Sequence, residues 1–213
     1  MKMDKKQQID LLQEIVEQSY KLLINKISFG GLVLDKEDDF RKELGDALRK
    51  SWELYGFKAE DKFNLNLKYS IPSSLKDTDI EKLKLHIDIV VEYNDVKAAI
   101  ELRFFKKVNY REPNNRCDAF IDLRDLEFYK KHGIDIGFFI VGTDHTHYVN
   151  QKSYSLHTGD FDMRDGTEYQ ADTELKYKTE NPYIKNSIVL EQDYVFKWDR
   201  IKNSNLYFLK VKV

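Results

Sequence analysis

Asp88 and Glu101 are the residues of this chain best suited to chemistry. Each lies inside an otherwise apolar run, His86-Ile87-Asp88-Ile89-Val90-Val91-Glu92 and Ala98-Ala99-Ile100-Glu101-Leu102-Arg103-Phe104. Both runs read as strands, and Asn94-Asp95 between them reads as a tight turn. A two-residue loop makes Tyr93 face Val96, which sets Asp88 opposite Glu101 and His86 opposite Arg103. Residues so opposed have Cβ atoms about 4.5–5.5 Å apart. Two carboxylates at that spacing repel unless a cation lies between them, and a divalent metal is the usual reason to tolerate them. The alternative reading is a longer loop with one acid on the surface. The neighbours favour the paired register. Leu85, Ile87, Ile89 and Val91 form one apolar face, Ala98, Ile100, Leu102 and Phe104 another, and both acids fall on the opposite side, away from the core.

Elements on either side must hold this hairpin. Ile9, Leu12, Ile15, Val16, Tyr20, Leu23 and Ile27 recur at helical spacing up to Gly30-Gly31. A second helix is expected from an Asp35 N-cap to about Tyr55, with Phe40, Leu44, Ala47 and Leu48 inward and Gly56 as its stop. Phe63 to Ile71 alternates as a half-buried strand, with Leu65, Leu67, Tyr69 and Ile71 inward. Lys76 to Lys84 is a charged loop. Lys106 to Arg116 is basic, with Pro113-Asn114-Asn115 as a breaker. Residues near 117–132 make a third helix carrying Phe120, Leu123, Leu126 and Tyr129, and Gly133 fits its C′ position. Ile136 to Val141 is apolar enough to be a central strand, and strand, helix, strand implies a parallel right-handed crossover. Thr143 to Lys178 reads as loops with a short hairpin. Ser187 to Leu190 and Leu206 to Val213 read as strands. The expectation is a single domain over 1–213, with 1–30 a helical extension and 144–213 a loop- and strand-rich part.

Composition sets outer bounds. The chain has 213 residues and a net charge of −2, so any nucleic-acid contact needs a local basic patch. One cysteine, Cys117, excludes an internal disulfide framework, suits a reducing cytoplasm and reads as a small buried filler. No run is long and apolar enough to span a membrane, and the N-terminus lacks a signal-peptide core. Lys106, Lys107, Arg111 and Arg116, interleaved with Phe104, Phe105 and Tyr110, suit a nucleic-acid backbone, with an ordinary charged loop as the alternative. His145-x-His147 has no third ligand at a defined spacing and reads as a solvated loop. Asp118, Asp122 and Asp125 form an acidic stripe that reads as a solvated helix face, a third metal ligand being the lesser reading. Trp52 and Trp198 read as core or interface residues and not as base-stacking platforms.

The order helix, strand, acid-bearing hairpin, helix, buried strand resembles the PD-(D/E)xK nuclease superfamily, whose fold is α/β and restriction-endonuclease-like, a mixed central sheet flanked by helices. Asp88 matches that family's Asp, and Glu101-Leu102-Arg103 its Glu-x-Lys triplet with Arg for Lys. Glu43, beside Phe40 and Leu44, is the best match for its helix acid. Asp122-Leu123-Arg124-Asp125-Leu126 and Phe138-Phe139-Ile140-Val141-Gly142-Thr143-Asp144 are similar to segments of a bacterial branch of the family. The resemblance covers roughly 35–145 and the tail. It implies a Mg²⁺- or Mn²⁺-dependent nuclease, with Asp88, Glu101 and the Leu102 carbonyl as ligands and DNA as partner. RNA is the second choice, and a homodimer is admitted. Arg103 keeps the triplet's charge but removes its general-base option, because a guanidinium does not deprotonate. The rival implication is a catalytically silent module of the same fold that binds nucleic acid or a protein.

Overall fold

The computed structural model describes residues 3–55, 61–72, 75 and 80–213; the expected stop at Gly56 and residues 76–79 of the 76–84 loop lie outside them. Helix α1 (Lys5–Ser28) opens with a capping box: Asp4 accepts from the Gln7 N–H, and Gln7 accepts from the Asp4 N–H. Helix α2 (Glu37–Leu54) follows. Its N-cap is Lys36, and Asp35 pairs with Lys106 instead of capping it. Strands β1 (Phe63–Ser70), β2 (His86–Tyr93) and β3 (Val96–Phe105) are antiparallel neighbours. Helix α3 (Glu112–Lys131) crosses back to β4 (Ile136–Thr143), which runs parallel to β3. α3 begins earlier than the sequence suggests. Pro113 lies in its first turn, where a missing N–H does no harm, so it starts the helix and breaks nothing. Gly133 ends it at φ +101°, as its spacing predicts.

After the four-residue helix α4 (His147–Asn150), the chain is mostly loop, with β5 (Glu168–Tyr169) pairing β6 (Tyr194–Val195). Expected strand 187–190 is reduced to one bridge, Leu175 to Ile188. β7 (Trp198–Arg200) and β8 (Tyr207–Lys212) then complete a six-stranded mixed sheet in the order β1-β2-β3-β4-β8-β7. The fold is therefore α/β, with helices on both faces of that sheet.

One face packs on α1 and α2: Ile89, Val91, Ala98, Ile100, Leu102 and Phe104 meet Leu12, Ile15, Phe40 and Leu44. α1 is thus part of the core layer and no mere extension. The other face carries α3, and on α3 lies the C-terminal part: Phe161, Met163, Tyr169, Phe196 and Trp198 gather around Phe120. Arg116 pins this part down. It is 1 % exposed, donates to the carbonyls of Thr158 and Phe161 and to Thr158 Oγ1, and stacks on Tyr154 at 3.5 Å. Glu127 does the same further along, accepting from the N–H groups of Glu191 and Gln192 and from the Tyr194 hydroxyl. Trp52, half-buried, stacks on Phe63 at 4.2 Å against the core, and Trp198, buried, donates to the Met163 carbonyl. Cys117 is fully buried, and burial pushes its thiol up to about 12.

Candidate functional site

The hairpin turns at Asn94-Asp95 with Tyr93 facing Val96, as the two-residue loop requires. Asn94 takes a left-handed φ of +51°, a conformation that Asn tolerates well. The ladder runs from there to Ile89–Ile100 and stops one position short of Asp88–Glu101. Asp88 Oδ2 instead accepts the Leu102 N–H at 2.9 Å, so the carboxylate occupies the seam where the strands part. On the other side of β2, Leu67–Ile89 and Tyr69–Ile87 pair, while Lys68, at φ +55°, interrupts the alternation beside Asp88. Beyond that kink the faces change. Ile87 joins the α3-side cluster, and Leu85 is 58 % exposed, so neither continues the apolar face of Ile89 and Val91.

The acids do not look out to solvent. Glu101 is fully buried and Asp88 is 8 % exposed, because α3 covers their face. The cation between them is an ammonium. Lys84 Nζ lies 2.5 Å from Glu101 Oε2, 3.0 Å from Asp122 Oδ1 and 3.8 Å from Asp88 Oδ2. Its backbone N–H donates to Asp125 Oδ2, which fastens the start of β2 to α3. From the opposite layer Arg41 of α2 donates twice to Asp88 Oδ1, at 3.0 and 2.5 Å. Arg103 turns onto Asp122 in a two-pronged contact of 2.5 and 2.9 Å.

Electrostatics follow from this crowding. Burial alone would raise the pKa of Asp88, but Lys84, the Leu102 N–H and Arg41 outweigh it and hold the carboxyl below its ordinary range. Glu101 goes the other way. Burial, with Asp88 and Asp122 nearby, lifts it well above the ordinary value despite Lys84. Burial opposes the charge on Lys84, and Asp122 and Glu101 more than restore it, so its pKa is raised. Asp125 is lifted by burial to about 6. Glu101 Oε1 is buried and has no hydrogen-bond partner.

Several expected site residues lie elsewhere. Glu43 faces α1 and pairs with Lys26 at 2.8 Å. The α2 acid that reaches the cluster is Glu37 in the first turn, raised by burial and by Asp88. Arg116 is buried in its structural role and leaves the basic set. Lys106 is paired with Asp35, while Lys107 and Arg111 stay on the surface. The acidic stripe of α3 is interior: Asp122 and Asp125 are fully buried and Asp118 is 9 % exposed. Its spacing of four and three residues marks one helix face, and that face is the one against the sheet. Lys84 carried no signal beyond its charge. His145 pairs with Glu112 at 3.0 Å. Among the described residues no three His, Cys, Asp or Glu side chains are grouped to hold a metal ion, and no helix is long and apolar enough to cross a membrane.

A metal is what the resemblance implies, and the structure brings together the two carboxylates it names, Asp88 and Glu101. Asp88 and Glu101 are hard oxygen donors on adjoining strands, and no N–H or O–H donor of the described residues reaches the buried Glu101 Oε1. The ammonium of Lys84 stands between the two carboxylates. No family model matches this chain, and neither a curated protein nor a solved structure matches it.

Proposed function

We propose that this chain is a metal-dependent nuclease that hydrolyses phosphodiester bonds in DNA, acting in the cytoplasm. The supporting observation is the Glu101 side chain, fully buried beside Asp88 with Oε1 unpartnered. Burial beside Asp88 makes the charged form of Glu101 costly, which is why its pKa is raised, and a bound cation relieves that cost. Mg²⁺ or Mn²⁺ held by Asp88, Glu101 and the Leu102 carbonyl would activate water and offset charge on the phosphate. Lys84 supplies the amine that the Glu-x-Arg triplet lacks, delivered from the residues before β2. It holds a proton at Nζ and places positive charge at the carboxylates, where a scissile phosphate would lie. Arg103 acts through Asp122: the two-pronged contact fixes that carboxylate, which in turn orients Lys84.

One observation favours a second reading, the silent module. Arg41 and Lys84 already neutralise Asp88 and Glu101, so the cluster is satisfied without an ion except at Glu101 Oε1. The experiment that separates them is Mn²⁺ titration by calorimetry, with cleavage of plasmid, single-stranded DNA and RNA in Mg²⁺ or Mn²⁺. The nuclease reading expects binding and cleavage that Asp88→Asn and Glu101→Gln both abolish. A parent protein that neither binds Mn²⁺ nor cleaves supports the silent module.

A further inference from the structure

β3 carries Glu101 and then runs straight into a surface loop. Phe104 and Phe105 are buried, and the four residue steps from Glu101 to Phe105 span about 13 Å. The loop is anchored at its base. Thr143 Oγ1 donates to the Phe105 carbonyl at 2.7 Å, the Lys107 N–H donates to Asp144 at 2.7 Å, and Lys106 pairs with Asp35 next to α2. A single 3₁₀ turn, Lys107–Asn109, follows. Then comes Tyr110, in the left-handed region at φ +49°, ψ +43°, and 81 % exposed as a residue.

That residue choice does nothing for the fold. A left-handed position favours Gly or Asn, and Tyr110 buries little of its ring in return. Among the described residues it contacts no other ring. Val108 beside it is 68 % exposed. Cations flank it on both sides. Lys107 has no ion-pair partner among the described residues, and Arg111, its side chain 54 % exposed, donates to the Tyr183 hydroxyl at 3.5 Å and lies 3.9 Å from Asp118. A rigidly based loop thus offers a flat ring between two exposed cations, Lys107 unpaired among the described residues and Arg111 held by long contacts, at the end of the strand that bears Glu101.

We infer that the Lys107–Arg111 loop is a stacking platform for an unpaired base, with Lys107 and Arg111 on the phosphates to either side. The ring faces of bases inside a duplex are covered by their neighbours, so the substrate class is single-stranded nucleic acid or an unpaired strand end. The inference deepens the nuclease reading by naming its substrate, but it stands on binding and is tested without cleavage.

The test is fluorescence anisotropy in EDTA with a labelled DNA strand of about 12 nucleotides, a length within the span of one single-strand site. Its matching duplex and the same sequence in RNA are the other probes. The parent should bind one or both single strands more tightly than the duplex, and the DNA and RNA arms tell which sugar is preferred. Tyr110→Ala should weaken single-strand binding about 5- to 150-fold, the factor for one stacked base, and Tyr110→Phe should keep it. Tyr110→Gly relieves the backbone strain and should lose affinity as Ala does, which separates stacking from folding. Lys107→Ala should lower the salt slope by about 0.7. Equal binding by the parent and Tyr110→Ala, no single-strand binding, or equal affinity for the duplex overturns the inference. Glu43→Gln, which lies on the α1 side away from both the loop and the carboxylates, should bind in the same assay as the parent does. A parent that binds through Tyr110 yet never cleaves in Mg²⁺ or Mn²⁺ sinks the nuclease reading and leaves the platform.

Discussion

The two faces of the central sheet solve the same packing problem with opposite materials. Against α1 and α2 the sheet presents Ile89, Val91, Ala98, Ile100, Leu102 and Phe104, and the cover is aliphatic and aromatic. Against α3 it presents Val90, Ala99 and Phe139, but also Glu101 and Arg103, and α3 answers with Asp122 and Asp125. Buried ion clusters are seldom more stabilising than apolar packing of similar volume. The first face shows that this chain builds such packing readily. An ionic face kept alongside it therefore points to chemistry, or to specificity, as the reason it is retained.

The largest effect should come from unbalancing the ionic face. Asp122→Ala leaves Arg103 without its carboxylate and strips Lys84 of one of three partners, so it should cost about 3–5 kcal/mol in urea unfolding. Replacing Arg103 and Asp122 together with Leu should recover much of that loss, because it removes both charges. A loss under about 1 kcal/mol for Asp122→Ala would mean the cluster is not desolvated, and the contrast between the faces would collapse.

The faces should also differ in pH response. Asp125 ionises at about 6 in the folded protein against 3.8 in its ordinary state. A raised acid stabilises the fold fully below pH 3.8 and loses that contribution as pH rises through about 6. Asp125→Asn cannot ionise, so its stability relative to the parent should climb by ~3 kcal/mol between pH 3.8 and pH 7. A flat difference across that range would show that Asp125 is solvated. Leu44→Ala on the apolar face should cost about 2–5 kcal/mol at every pH.

Gly142 tests the apolar face by overfilling it. A Cβ there would lie 2.8 Å from Phe104 and 2.9 Å from Phe208, both ring atoms of packed side chains. Gly142→Ala should therefore cost about 1–3 kcal/mol, again without pH dependence, by urea unfolding. An unchanged midpoint would show that the rings give way.

These differences explain what was legible in the sequence. The apolar face was readable because its residues repeat with the strand period, and β2, β3 and β4 with their hairpin and parallel crossover follow from it. The ionic face was half readable. Asp88 and Glu101 stood out as acids in apolar runs, but their partners belong to other elements, and nothing in a charged loop marks Lys84 as the cation that meets them. Asp122 and Asp125 were visible as a stripe, yet a stripe of acids on a helix normally faces water. The kink at Lys68 was invisible, since a left-handed Lys leaves no trace in the hydrophobic pattern, and it is what moves Ile87 to the other face. The C-terminal loops have no period at all, because buried Arg116 and Glu127 hold them through backbone hydrogen bonds.

The smallest effect on stability sharpens the boundary between the faces at α2. Glu43 pairs with Lys26 on the α1 side, partly exposed, and Glu43→Gln should cost only about 0.2–1 kcal/mol. Glu37 lies six residues earlier, in the first turn, where Arg41 bonds to both it and Asp88. Burial lifts its pKa, and Arg103, Asp88, Lys84 and Asp122 all act on it. A cation drawn to Asp88 and Glu101 would therefore be felt at Glu37 and not at Glu43. Glu37→Gln should weaken Mn²⁺ binding measurably in calorimetry, while Glu43→Gln leaves it as in the parent. The reverse result would place the other turn of α2 over the carboxylates, and with it a different helix acid in the candidate centre.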